Sequence, residues 1–126
     1  MSAYMVLVVD DSKLARISVM TKLAALRPTW KCVEAKDADE ALTLIGQSDF
    51  DLALLDFRMP GSMDGLELAS QLMAGRKDLA VAIISANAQI ETIDRAHALN
   101  AEFLSKPLEI EAFRAFLDRV ISRRPH

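Results

Sequence analysis

Four short, nearly unbroken apolar stretches, at residues 5–9, 52–55, 79–84 and 101–104, constrain the fold more than any other feature of the chain. Each is too short for a typical buried helix, and none shows the strict polar alternation of a strand with one wet face. They read as strands covered on both sides, the usual condition of a parallel sheet. A fifth, more mixed stretch at 30–35 joins them. Between the stretches the apolar residues recur at intervals of three and four, which marks helices with one inward stripe. The stripes are Leu14, Ile17, Met20 and Ala24; Ala38, Ala41, Leu42 and Ile45; Leu68, Ala69, Leu72 and Met73; Ile90, Ile93 and Ala96; and Ile110, Phe113, Leu117, Val120 and Ile121. The first helix is expected to stop ahead of Pro28, because the residue before a proline disfavours helical geometry.

Strand and helix therefore alternate five times. That order predicts an α/β fold, a doubly wound five-stranded parallel sheet with helices on both faces and right-handed crossovers. Asp37 with Glu40, and Asp64 with Glu67, have the spacing of capping boxes and place two helix starts. The length of 126 residues suits a single domain, 1–126, with 122–126 expected as a tail or the start of a linker. Cys32 is the sole cysteine, so no internal disulfide can form and a reducing compartment is expected. A net charge of −3 argues against direct nucleic-acid binding. The N-terminus lacks the pattern of a signal peptide, and no apolar run is long enough to span a bilayer. A cytoplasmic protein without membrane contact is the expectation.

In a doubly wound sheet, ligands bind beyond the carboxyl ends of the strands. The first strand runs into Asp10 and Asp11, the third into Asp56 and the fourth into Ser85, and Lys106 and Pro107 follow the fifth. Three acids, a hydroxyl and a lysine would then meet at one edge. Two carboxylates about 4 Å apart repel by roughly 4 kcal/mol at an effective dielectric of 20. Three together call for a cation, and a hard divalent ion such as magnesium, which keeps waters and accepts phosphate oxygens, suits them. Asp56 would act as a nucleophile toward phosphorus without a general base, since a carboxylate is already ionised at neutral pH. Lys106 and Ser85 would contact the phosphoryl oxygens. The plainer alternative is that Asp10 and Asp11 cap the first helix and that Asp56 is an ordinary loop acid.

The motifs resemble those of response-regulator receiver domains, and they do so along nearly the whole chain. Val-Leu-Val-Val-Asp-Asp-Ser at 6–12 is similar to the acidic opening of that family, and Leu-Leu-Asp-Phe-Arg-Met-Pro at 54–60 with Met-Asp-Gly at 63–65 to its phosphoacceptor segment. Ile-Ile-Ser-Ala at 83–86 and Phe-Leu-Ser-Lys-Pro at 103–107 are similar to its hydroxyl-bearing and lysine-proline segments. The resemblance implies a flavodoxin-like fold and a two-component signalling role. It makes Asp56 the phosphoacceptor, and Asp10, Asp11, Asp56 and the Arg58 backbone carbonyl the magnesium ligands. Ser85 and Lys106 would stabilise the phosphoryl group, Ser85 and Phe103 would form the switch, and Lys106–Pro107 would be a cis peptide bond. The donor would be a sensor histidine kinase or phosphotransfer protein. The recipient of the signal would be a downstream protein partner or output domain, with a phosphorylation-dependent dimer as a further outcome.

Two departures from the family pattern stand out. Gly61 and Ser62 lengthen the loop after Pro60 by one residue, and Asn100 stands where glycine is usual. Arg58 and Asn87 occupy positions that vary in the family and influence the lifetime of the phosphoryl group. The lengthened loop motivates a competing reading, a receiver-like interaction module that works without phosphorylation. A metal-dependent aspartyl phosphatase fits less well, because its acids would be two residues apart and a cap domain is missing. Met59, Met63 and Phe116 are expected in the packing.

Overall fold

In the computed structural model the described residues are 4–59, 61, 63–86 and 89–123. The apolar stretches form strands β1 (Met5–Val9), β2 (Lys31–Ala35), β3 (Leu52–Asp56), β4 (Ala80–Ser85) and β5 (Glu102–Ser105). The periodic segments form helices α1 (Lys13–Leu26), α2 (Ala38–Gln47), α3 (Gly65–Gly75), α4 (Ile90–Ala98) and α5 (Ile110–Arg123). All strand pairs are parallel and the order across the sheet is β2-β1-β3-β4-β5. The chain thus winds outward in both directions from β1 and β3, which leaves a crevice beyond their carboxyl ends.

Because side chains alternate across a strand, each strand feeds two cores. Leu7, Val9, Ala53, Leu55, Val81 and Ile83 pack with residues of α2, α3 and α4. Val6, Val8, Leu52, Leu54, Ala82 and Ile84 pack with Val19 and Leu23 of α1 and with Phe113, Phe116, Leu117 and Val120 of α5. Phe116 is buried as expected, and Met59 and Met63 pack against the first core. Among the described residues no helix is long and apolar enough to cross a membrane.

The helix starts follow local chemistry. Asp64 and Glu67 form a complete capping box at α3. Asp37 caps α2 by accepting from the Glu40 amide at 2.8 Å, but the Glu40 carboxylate reaches the Lys36 amide instead of closing the box. The end of α4 is a Schellman turn: the Asn100 amide donates to the His97 carbonyl and the Ala101 amide to that of Ala96. Asn100 takes φ 64°, a left-handed conformation that asparagine tolerates better than most side chains.

Three further expectations need correction. Ile90, expected in the inward stripe of α4, is 76% exposed at the start of that helix, whereas Thr92 and Ala96 are buried. The inward stripe expected for α1 holds only at Met20, which packs partly buried against the second core: Leu14 is 80% exposed, Ile17 43% and Ala24 is exposed, while Val19 and Leu23 are buried. Both faces of α1 carry apolar residues, so spacing alone does not choose between them. Ser122 and Arg123, expected to begin a tail, complete the last turn of α5, where Ser122 donates to the Asp118 carbonyl at 2.9 Å.

Gly65 opens α3 directly against the end of β3. A Cβ added there would lie 2.9 Å from the Phe57 Cα and closer still to the Asp56 carbonyl oxygen. The contacts are backbone, so any side chain would push the α3 start away from Asp56. Gly46 in α2 is the counterexample, with nothing within 4 Å of such a Cβ. Gly65→Ala is expected to destabilise the protein by about 1–3 kcal/mol, the usual range for overpacking. Gly46→Ala should be neutral or stabilising by up to about 1 kcal/mol, since glycine is a poor helix former. Urea denaturation of the two variants beside wild type checks both signs.

Candidate functional site

The acids that end β1 and β3 meet in the crevice. One carboxylate oxygen from each of Asp10, Asp11 and Asp56 lies within 4.8 Å of the others. They are brought there by the β1–β3 pairing, which aligns Val9 with Leu55 and so sets the two strand exits side by side. Asp10 is buried, Asp56 half-buried and Asp11 exposed. Neither Asp10 nor Asp11 caps α1. Ser12 does, accepting from the Ala15 amide at 3.2 Å, which leaves the two acids available to the crevice.

Lys106 arrives from the far end of the chain. Its Nζ donates to Asp56 Oδ1 at 2.8 Å and to Asp10 Oδ2 at 3.3 Å. The Lys106 amide also donates to the Ser85 carbonyl at 2.9 Å, which ties the end of β5 to the end of β4. The Phe57 amide donates to the Ile84 carbonyl at 3.3 Å, and the Phe57 carbonyl accepts from the Gly65 amide at 2.8 Å. The residue after Asp56 is therefore held by β4 on one side and by the start of α3 on the other. The Lys106–Pro107 peptide bond is cis.

An open depression of about 490 Å³ lies over this edge, lined by Asp56, Arg58, Ser85, Ala86 and Lys106. A second depression, about 390 Å³, opens at the opposite edge of the sheet beside Leu79, Phe116 and Val120 and contains none of the converging acids. Its distance from the reactive groups makes the first depression the candidate site. Ser85 is buried at the end of β4. Phe103 lies half-buried in β5 opposite Ile83 and packs against the core beneath α4. Pro60, Ser62 and Asn87, the positions of the lengthened loop and of one variable site, lie outside the described residues.

The electrostatics are unbalanced. Burial first, and then the neighbouring charges of Asp10 and Asp11, push the Asp56 carboxyl above the usual range despite the opposing Lys106 hydrogen bond. Burial works against the charge of Lys106, but its hydrogen bond to Asp56 and the charges of Asp56 and Asp10 outweigh this and raise its pKa. The lysine therefore stays protonated at neutral pH. Among the three carboxylates and the Lys106 ammonium that pairs with two of them, two formal negative charges are left over. Hard oxygen donors at this spacing, with that excess charge, suit a small divalent cation.

Sequence reasoning had identified each of these groups but not two that hold them. Gly65 was visible as part of a motif, although the backbone contact that requires it is a tertiary fact. Arg16 gave no signal, because a lone arginine in a helix reads as a solvated charge; here it donates to the Asp10 carbonyl at 2.6 Å.

The raised pKa of Asp56 has a defined thermodynamic sign. A carboxyl that holds its proton more tightly when folded makes the folded state bind more protons than the unfolded one. Stability of the metal-free protein then falls as pH rises from the unfolded carboxyl pKa through the folded one. Asp56→Asn removes this penalty and keeps an oxygen for Lys106. In a metal chelator at neutral pH the variant is expected to melt a few degrees above wild type. Magnesium should raise the melting temperature of wild type by mass action. Thermal melts across pH with and without the ion check both statements.

The chain matches the family described as response regulator receiver domain over residues 6–118. It is 33% identical over 116 residues to the DNA-binding transcriptional regulator NtrC of Salmonella typhimurium, covering 91% of this chain and 24% of that protein. It is 31% identical over 120 residues to the two-component response regulator PhoP of Pseudomonas aeruginosa, covering 93% of this chain and 51% of that one. Among solved structures, the chemotaxis protein CheY4 of Vibrio cholerae superposes with a TM-score of 0.83 at 27% identity, over 94% of this chain and 99% of that one. NtrX of Brucella abortus gives a TM-score of 0.85 at 31% identity, over 96% of this chain and 27% of that one. This chain thus spans about half or less of the longer regulators it matches, and 99% of the chemotaxis protein. With its flavodoxin-like sheet and its cluster of acids and lysine in the order the motifs required, the chain belongs to the response regulator receiver domains of two-component signalling.

Proposed function

We propose that the domain accepts a phosphoryl group on Asp56 in a magnesium-dependent reaction, and that the modification changes its preference for a downstream protein partner or output domain. The observation that carries this reading is the Lys106 ammonium bridging Asp56 at 2.8 Å and Asp10 at 3.3 Å within one cluster of three acids. A lysine from the end of the chain has little reason to enter a carboxylate cluster unless anionic charge must be handled there. The donor would be a phosphohistidine on a sensor histidine kinase or a phosphotransfer protein, met in the cytoplasm.

In this reading Asp10, Asp11 and Asp56, with the Arg58 backbone carbonyl, hold the magnesium ion. When bound, the ion neutralises the acids and draws charge from the phosphoryl oxygens. An Asp56 carboxylate oxygen attacks phosphorus, the bond from phosphorus to the donor nitrogen breaks, and the electron pair leaves with the imidazole. No general base is needed, because the attacking group is already an anion. Lys106 stays charged and pairs with a phosphoryl oxygen. The Ser85 hydroxyl, at the end of β4 on the same depression, donates to another. Catalysis is then positioning and charge neutralisation, and the domain acts only on its own phosphorylation and dephosphorylation.

The switch roles of Ser85 and Phe103 are those the family resemblance implies, and the strand pairing is compatible with them. Ser85 and Phe103 belong to adjacent strands, and Ile83 faces Phe103 in the register. A Ser85 drawn toward the phosphoryl group would alter the space beside β5, and Phe103 would turn inward. Phosphorylation shifts that equilibrium through the differential contacts of the new group. A partner reading the surface of α4, β5 and α5 would sense the change, and a dimer through that surface is one form of it.

Acetyl phosphate with magnesium is expected to add the mass of one phosphoryl group to wild type, observed by intact-protein mass spectrometry. Asp56→Asn should take up none, and chelating the ion should slow wild-type labelling by at least about tenfold, of the order that removing one charge-stabilising group costs. Equal labelling of Asp56→Asn would end the assignment. Identical partner affinity before and after labelling would favour a phosphorylation-independent interaction module instead.

A further inference from the structure

The carbonyl of Asp10 lies between two structures and belongs to neither. β1 ends at Val9 and α1 begins at Lys13, so the carbonyl is outside the strand ladder and ahead of the helix. Among the described residues no backbone amide reaches it. Arg16, one turn into α1, supplies the missing donor. Its Nη1 donates to the Asp10 carbonyl at 2.6 Å, and its Nε donates to Glu34 Oε1 on β2 at 2.9 Å. The Arg16 side chain is only 13% exposed, so its bond to the Asp10 carbonyl is sheltered, while Glu34, 42% exposed, holds the guanidinium from the surface.

The Asp10 backbone is consequently clamped at both ends to the edge strand. Its amide donates to the Ala35 carbonyl of β2 at 3.1 Å, and its carbonyl is held through Arg16 to Glu34 of the same strand. The carboxylate beyond the clamp is then held by two further contacts, accepting from the Ser12 amide at 2.9 Å and from Lys106 at 3.3 Å. A planar guanidinium can serve two acceptors at once in a fixed geometry, whereas an ammonium is a flexible point charge.

We propose that Arg16 is a positioning residue for Asp10, fixing the main chain at the end of β1 so that the Asp10 carboxylate stays turned toward the divalent cation. The inference rests on the magnesium-binding reading above. Two effects of removing Arg16 oppose each other, and their signs separate geometry from charge. Loss of a nearby positive charge would favour a dication. Loss of the clamp would disorder the ligand and disfavour it. Glu34 already offsets the arginine charge at 2.9 Å, so geometry dominates.

The test is calorimetric titration of magnesium into wild type, Arg16→Ala, Arg16→Lys and Glu34→Gln at one ionic strength, with melting curves in chelator. Arg16→Ala is expected to weaken magnesium binding by about tenfold, the lower end of what loss of a supporting hydrogen bond costs a metal site. Arg16→Lys should recover part of that affinity. Glu34→Gln, which keeps the bond to Asp10, should stay within about threefold of wild type, less than the loss of a supporting partner. A purely structural arginine would lower the melting temperature and leave the affinity of the folded protein unchanged, and that result overturns the proposal. So does tighter binding by Arg16→Ala. Should the alanine variant fail to fold, Arg16→Lys decides the matter by the same comparison. Wild type that binds no magnesium overturns the metal reading and this inference together, whereas normal wild-type binding lost in Asp10→Asn but not in the Arg16 variants overturns the inference alone.

Discussion

Everything at the working edge of this domain depends on an unneutralised charge. Asp10, Asp11 and Asp56 stand closer together than free carboxylates would, and Lys106 offsets one of the three. Such an arrangement is unfavourable by itself: burial first, and then the charges of Asp10 and Asp11, raise the Asp56 pKa. It persists because the rest of the fold over-determines it. The β1–β3 pairing fixes two of the strand exits, and the two cores on either side of the sheet hold that pairing in place. Stability built in the cores is drawn on at the edge, a common relation between packing and functional sites.

The supporting structure reaches the acids through the backbone. Phe57 is held by the Ile84 carbonyl and the Gly65 amide, Lys106 by the Ser85 carbonyl, and Asp10 by Ala35 and Arg16. Rigid elements thereby deliver the reactive side chains with little freedom to drift. Gly65 belongs to the same logic. By lacking a side chain it lets α3 begin against the Asp56 carbonyl, so the helix that closes one side of the site starts directly beside the backbone of Asp56 and Phe57.

Much of this could be read from the residues. Buried parallel strands leave nearly unbroken apolar runs, and an acid at the end of such a run is conspicuous, so Asp10, Asp56 and the sheet itself were visible. Lys106 and Ser85 became meaningful because they follow strands that must point the same way. The boundaries moved by about a residue where the last strand residue is polar, as at Ser85 and Ser105. The face of α1 could not be read, since Leu14 and Ile17 compete with Val19 and Leu23 on pattern, and only packing in the fold separates them. Arg16 was hidden for a related reason. Its partner is a main-chain carbonyl, and main-chain acceptors carry no signature in a sequence.

The same geometry explains how a local change of charge could travel. The carboxyl edge of the sheet is not a set of independent loops: Lys106 touches Asp10 and Asp56 with its ammonium and Ser85 with its amide, so β1, β3, β4 and β5 share one lysine. A group arriving at Asp56 must alter what that ammonium contacts, and the residue carrying it is continuous with β5 and joined to the end of β4. Coupling claims need a physical element that both sites bias. In the proposed phosphorylation the element to test is the contiguous set of contacts from Asp56 through Lys106 to the paired ends of β4 and β5, where Ile83 pairs with Phe103. Because the metal-free site already carries excess negative charge, it cannot stay indifferent to a dication or a phosphoryl group. Either one changes the balance that Lys106 is holding.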